Sequence, residues 1–344
     1  MHALVTGGGG FLGRYIVEQL LARGDQVRSF GRGAYPELNE LGVEVIRGDI
    51  CDQGAVNAAC QGVDCVFHVA ALAGISMNKR AFAETNMRGT ETVLGGCLQN
   101  GVPRLVYTSS PSVVFDGTDQ RGIDATFAYN LDWLEKHNCY YSKSKALAEL
   151  LVISSSKAID TQSGEFTGLR SCSLRPHLIW GPRDQHLVPR LISRARSGRL
   201  RRVGDGTNLV DMIYVENAAQ AHLQAADALG LDNSPVAGKA YFLSQGEPVN
   251  CWQWIDEILA LAELPPVRKS ITYRSAWRVG AVLEKVYHWL GLESEPPMTR
   301  FLAAQLAKSH WYDISAAKRD FGYEPTVTTA EGMRRLGEWL RRSA

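Results

Sequence analysis

The sequence predicts an α/β protein: a doubly wound parallel sheet followed by a smaller, mostly helical C-terminal lobe. Three observations carry this expectation. Short, almost continuously apolar runs alternate with helical stretches through the first half of the chain. Strands of a parallel sheet read that way, because helices cover both of its faces. A glycine-rich turn joins the first strand to the first helix, and beyond Gly181 and Pro182 the alternation gives way to helical segments with isolated strands.

In chain order, the first strand is His2–Thr6, and Phe11–Ala22 then sets Leu12, Ile16 and Leu20 on one helical face. Further strands are expected at 26–30, 43–47, 63–69 and Arg104–Thr108, with another near 171–176. Beyond residue 182, segments 187–197, 217–228, 250–262 and 276–290 read as helices. Segments 209–214 and 240–244 read as strands that either rejoin the first sheet or build a small second one. The expected division is a nucleotide-binding domain over 1–180, with parts of 205–245 returning to it, and a substrate lobe over 181–344.

Composition narrows the function classes. Lys and Arg total 37 against 36 Asp and Glu. So even a balance supplies no global field for a nucleic acid backbone or an anionic surface. Seven cysteines, an odd number with no C-x-x-C pair, argue against a disulfide framework and a cysteine zinc site. No H-E-x-x-H spacing occurs, so no metal is expected. The start lacks a basic segment followed by an apolar core, and no apolar run reaches the ~18–20 residues of a membrane span. A soluble, cytoplasmic setting is the expectation.

Residues 7–13 read G-x-x-G-x-x-G between strand and helix. Glycines there let the backbone turn tightly and approach a pyrophosphate, whose charge sits on free N–H groups at the helix N-terminus. The expected contacts are Gly7, Gly10, Phe11, Leu12 and Gly13. An NAD-type site places a carboxylate at the end of the second strand for the ribose hydroxyls. Gly31 stands there instead and Arg32 follows. A guanidinium pairs with a 2′-phosphate that an acid would repel, so NADP(H) is expected over NAD(H). Asp49, beside Ile50, is placed either to accept from an adenine amine or to cap a helix.

Tyr141 and Lys145 form Y-x-x-x-K, four residues apart and so on one helical face. A phenol near pKa 10 exchanges protons poorly at neutral pH, and a neighbouring cation would lower it. Thr108, Ser109 and Ser110 end the fifth strand at the carboxyl edge, where open α/β sheets bind ligands. Ser110 is the expected donor to a substrate oxygen, with Ser109 as its alternative.

These runs, together with 68–71, 86–90 and Arg175-Pro176, resemble the extended short-chain dehydrogenases/reductases, a Rossmann-fold family. The 3β-hydroxysteroid dehydrogenase group is the branch they resemble most. Segments 108–114, 174–182, 203–211, 295–302 and 311–317 are similar, more narrowly, to bacterial β-keto acid reductases of olefin biosynthesis within that group. The resemblance implies reduction of a hydrophobic β-keto acid with two alkyl arms. It implies that Ser110 and Tyr141 hold the keto oxygen, that Tyr141 gives the proton, and that Lys145 binds the nicotinamide ribose. It also places Ala70, Ala71 and Asn86 at positions lining or ordering the cofactor site, and Pro176 and His177 beside the nicotinamide. A homodimer and an assembly with other olefin-pathway enzymes fit the resemblance.

Seven of eight tryptophans lie from Trp180 onward. Trp277, Val279, Val282, Leu283, Val286 and Leu290 share helical spacing, as in a helix packed on the core, a wall of an alkyl tunnel, or a helix touching a membrane or partner. Arg194, Arg196, Arg199, Arg201 and Arg202 read as a solvated face or a carboxylate contact, and His68 as a satisfied core histidine. Rival functions are an NAD-dependent 3β-hydroxysterol dehydrogenase, a sugar-nucleotide epimerase or dehydratase, and a non-catalytic NADP sensor. A dehydratase wants acids after the catalytic hydroxyl, where Pro111 and Ser112 stand, and a sensor would not need both Tyr141 and Lys145.

Overall fold

The computed structural model describes residues 1–156 and 168–343. Strands β1 (His2–Thr6), β2 (Gln26–Gly31), β3 (Glu44–Arg47), β4 (Cys65–His68), β5 (Arg104–Thr108), β6 (Arg170–Pro176) and β7 (Ala240–Leu243) form one sheet. Its order is β7-β6-β5-β4-β1-β2-β3, and every neighbouring pair is parallel.

Alternation along the strands feeds two cores. Ala3, Val5, Phe67 and Leu174 face helices α1 (Phe11–Ala22) and, far along the chain, Val215–Leu229. Leu4, Val66, Leu105 and Tyr107 face the opposite side, where α2 (Gln53–Cys60), α3 (Gly89–Gln99) and α4 (Tyr140–Ser155) pack. Both faces are covered, as the continuous apolar strands required.

Beyond β6 the chain forms α5 (Leu187–Arg196), α6 (Val215–Leu229), α7 (Cys251–Leu261), α8 (Tyr273–Trp289) and α9 (Arg300–Ala307). Of these, α6 belongs to the first core. Residues 209–214 do not form one strand. Leu209–Val210 joins a small sheet with Val249–Asn250 and His310–Tyr312, whereas Ile213–Tyr214 pairs with Ile179–Trp180. The run breaks at Asp211, whose buried carboxylate turns inward to accept the Tyr312 N–H at 3.0 Å. Residues 240–243 return to the main sheet as its outer strand β7, beside β6. Trp180, Trp252 and Trp254 pack into the core of the second lobe, with Trp180 and Trp254 edge to face at 5.6 Å.

Candidate active site

The carboxyl ends of the parallel strands open into a cleft of about 480 Å³. Its floor is the turn between β1 and α1. Gly7 has φ +72°, a conformation open to glycine, and a Cβ on Gly13 would run into the Gly7 carbonyl oxygen. Gly10 begins α1 with no side-chain cap and the first turn holds no acid. Its N–H groups and the positive end of the helix dipole therefore stay free for an anion. This cradle fits a dinucleotide pyrophosphate.

Of the residues singled out in the sequence, Gly7, Gly10, Phe11, Leu12, Gly13, Arg32, Asp49, Ile50, Ala70, Ala71, Ser110, Tyr141, Lys145 and Pro176 line this one cleft. Asp49 is not a helix cap. Asp52 caps α2 by accepting from Ala55 N–H, while Asp49 Oδ1 accepts from Cys51 N–H at 2.9 Å. Two residues stand elsewhere. Asn86 lies behind the cleft, with Oδ1 accepting from Leu72 N–H at 2.7 Å and Nδ2 donating to the Leu72 carbonyl and Ser144 Oγ, both at 3.0 Å. It ties the loop after Ala71 to the helix of Tyr141. His177 turns its ring away from the cleft. Nδ1 meets Asp211 Oδ1 at 2.6 Å and Nε2 meets His310 Nδ1 at 3.1 Å, all three buried against the second lobe. Its neighbours Pro176 and Leu178 face the cleft instead.

The hydroxyl cluster at the end of β5 is built by short-range capping. Ser110 caps the turn Pro111–Val114, accepting from Ser112 N–H at 3.2 Å and lying 2.9 Å from Ser112 Oγ. Tyr141 reaches the same point from α4. Burial raises its phenol, and the nearby Ser110 hydroxyl works against that rise. The lowering expected from Lys145 does not prevail, and the phenol stays above its ordinary value. Lys145 is buried, its Nζ donates to the Thr108 carbonyl at 2.6 Å and sits 4.1 Å from the Tyr107 ring centroid. Burial brings its pKa down to about 7. A buried ionic network holds α4 against β6: Arg175 Nη2 donates to Glu149 Oε1 at 2.6 Å, and Ser173 Oγ donates to Glu149 Oε2 at 2.6 Å. Arg194 and Arg202 lie off the site and face Glu295 and Asp256.

Other contributors left little trace in the sequence. Thr6 Oγ1 accepts from Val69 and Ala70 N–H, both at 3.2 Å, and therefore donates to His68 Nδ1 at 2.8 Å. The second ring nitrogen of His68 then donates to Thr90 Oγ1 at 3.0 Å. Burial holds His68 at a pKa of about 3, so its ring is neutral and satisfied within the core. Tyr35 has φ +45° and its ring closes against Gly9 and Gly33, where any Cβ would strike it. Leu178 (φ +40°) and Arg183 (φ +67°) bend the loop beside Pro176. The Arg183 guanidinium pins that loop to Glu18 with two bonds of 2.8 Å and covers the Tyr15 ring at 4.1 Å. Such left-handed non-glycine residues cost about 1–3 kcal/mol each and concentrate at functional sites.

A dinucleotide cradle at the carboxyl edge of a doubly wound sheet, ending in serine, tyrosine and lysine, defines a nicotinamide-dependent oxidoreductase of the short-chain dehydrogenase/reductase class. The comparisons agree. Residues 4–267 match the model of the 3-beta hydroxysteroid dehydrogenase/isomerase family, and the chain belongs to that family. It is 46% identical over 336 residues to a 2-alkyl-3-oxoalkanoate reductase of Stenotrophomonas maltophilia, covering 98% of each chain. A reductase of the same name from Shewanella oneidensis is 45% identical, over 97% of this chain and 85% of the relative. The sterol-4-alpha-carboxylate 3-dehydrogenase of Mus musculus is 35% identical, over 96% and 88%. Among solved structures, the dTDP-glucose 4,6-dehydratase of Streptomyces venezuelae with NAD bound shares the fold at TM-score 0.73 and 22% identity, over 99% and 97%. No described helix is long and apolar enough to cross a membrane.

Proposed function

We propose that the protein uses NADPH to reduce a 2-alkyl-3-oxoalkanoate to the 2-alkyl-3-hydroxyalkanoate. The observation that carries this reading is the Ser110, Tyr141 and Lys145 set at the end of the dinucleotide cleft, in a chain 46% identical to a reductase of that name. The reduced nicotinamide supplies a hydride for the keto carbon when bound. Ser110 donates to the keto oxygen while its own oxygen accepts from Ser112 N–H, so the hydroxyl hydrogen is aimed outward. Tyr141 delivers its phenolic proton to the same oxygen, leaving a phenolate. Lys145 holds the nicotinamide ribose, and its ammonium stabilises that phenolate.

NADPH is favoured by charge at the adenosine end. Gly31 pairs with Arg47 across β2 and β3, so Arg32 and Arg47 stand together at the strand ends. Arg32 is exposed and has no ion pair among the described residues, which suits it to a 2′-phosphate. An epimerase or dehydratase reading finds no acid after Ser110, where Pro111–Val114 forms a short helical turn.

The test is oxidation of 2-alkyl-3-hydroxyalkanoates and of 3β-hydroxysterols, each with NADP⁺ and NAD⁺. The alkyl hydroxy acids with NADP⁺ should give the highest kcat/KM. Preferential turnover of sterols with NAD⁺ would overturn both the substrate and the cofactor.

A further inference from the structure

Helix α8 (Tyr273–Trp289) is apolar on two sides, and the fold uses one of them. Ala276, Gly280 and Glu284 are buried on its inner face. A Cβ on Gly280 would strike the backbone of Thr299 and Arg300, so α8 and α9 approach closely there. Glu284 accepts from the Arg300 backbone N–H and from its Nε, both at 2.7 Å. Trp277 lies 5.4 Å from His137, on the turn leading to Tyr141.

The outer face has no such partner among the described residues. Val279, Val282, Val286 and Trp289 are exposed, and Leu290 and Leu292 continue the patch past the helix end. Trp289 is 83% exposed. At the angular step of an α-helix, residues 279, 282, 286 and 289 fall in one stripe about 80° wide. Arg274, Arg278 and Lys285 are exposed in the sector beside it. Glu284 is the only acid in α8, and it is buried on the opposite side. The exposed surface of this helix is therefore apolar and cationic.

We propose that this face of α8 docks on the surface of an anionic lipid bilayer. An indole and branched aliphatic side chains seat at the headgroup boundary while flanking Arg and Lys meet lipid phosphates. Unpartnered apolar stripes of this kind are otherwise unfavourable on a soluble surface. The chain leaving α8 meets the loop that follows the cleft wall. The Glu293 carbonyl accepts from Met77 N–H at 3.0 Å, and its carboxylate accepts from Asn78 Nδ2 at 2.6 Å. That loop begins at Ala71 and Ala73, which line the cleft. A docked α8 thus brings the loop that borders the cleft close to the lipid. The use of this placement, collecting a two-armed substrate from the bilayer, rests on the function proposed above; the docking itself does not.

The test is co-sedimentation of the full chain with vesicles of phosphatidylcholine, with and without an equal part of phosphatidylglycerol. Wild type should sediment with the anionic vesicles, less as salt rises, and little with neutral ones. Replacing Arg274, Arg278 and Lys285 by Glu should weaken binding by at least about fivefold per cation. The double variant Val282→Asp, Trp289→Ser should also release the protein while its NADPH-dependent turnover of a short, water-soluble β-keto acid stays unchanged. Absence of wild-type sedimentation, or equal binding by the double variant, would overturn the proposal. So would a concentration-dependent dimer abolished by the same variant, which would make the stripe a contact between copies of this chain. Vesicle binding with no turnover of alkyl-substituted substrates would overturn the proposed reaction alone.

Discussion

Replacing Lys145 by Met should stabilise the cofactor-free protein while destroying its activity. Burial lowers the Lys145 pKa from 10.5 to about 7. At roughly 1.36 kcal/mol per pH unit, keeping the ammonium in that place costs the fold about 5 kcal/mol. Methionine keeps the length and removes the charge, but it also removes the bond to the Thr108 carbonyl. Leaving that acceptor without its donor costs about 1–3 kcal/mol. The net expectation near pH 6 is a gain of about 2–4 kcal/mol.

The sign with pH follows from proton counting. Below the folded pKa, both the native and the unfolded lysine carry the proton, and the whole cost of burial is present. Between the folded and unfolded values the unfolded chain holds a proton that the native one has lost, so wild-type stability rises with pH. The advantage of Lys145→Met should shrink by about 3 kcal/mol between about pH 6 and about pH 9. Urea unfolding of both proteins at the two pH values measures it directly. A variant less stable than wild type at the lower pH, or a difference that ignores pH, would refute this account of the buried ammonium.

Tyr141→Phe should leave NADPH affinity near wild type, by fluorescence titration, while kcat falls by about 10²–10⁴ through loss of the proton donor. Surviving turnover would mean that another group donates. Arg32→Ala should raise the Kd for NADPH roughly ten- to hundredfold, the worth of about 1.5–3 kcal/mol for a charged hydrogen bond, and leave NADH binding nearly unchanged. Glu149→Ala strands the buried Arg175 and should cost about 3–5 kcal/mol in chemical denaturation. In wild type, burial pushes the Glu149 carboxyl up, and Arg175 together with Ser173 and Tyr129 more than offsets it, so the net shift is downward. Its contribution is complete above the ordinary carboxylate range and is lost as pH falls through the lowered value. A wild-type-minus-variant difference that does not shrink in acid would count against the ion pair.

The sequence by itself determined the parts governed by local spacing. Continuously apolar runs alternating with helical patterns gave the parallel sheet and the succession of its elements, because burial on both faces and side-chain direction within one element leave a local pattern in the chain. The glycine turn and the four-residue step from Tyr141 to Lys145 were legible for the same reason, and the cleft gathers nearly every residue they flagged. Contacts between distant segments were not legible. His177 stands next to Pro176 in sequence, yet its ring belongs to Asp211, 34 residues away, and to His310 beyond that. The left-handed turns at Tyr35, Leu178 and Arg183 have no glycine to announce them. Lys145 reads as a plain cation and becomes a reluctant one only when the core removes its water. The near-zero net charge hid a helix whose acid is buried and whose cations are exposed. Spacing is a property of the chain, whereas burial, and with it pKa and surface charge, is a property of what the fold packs against each residue.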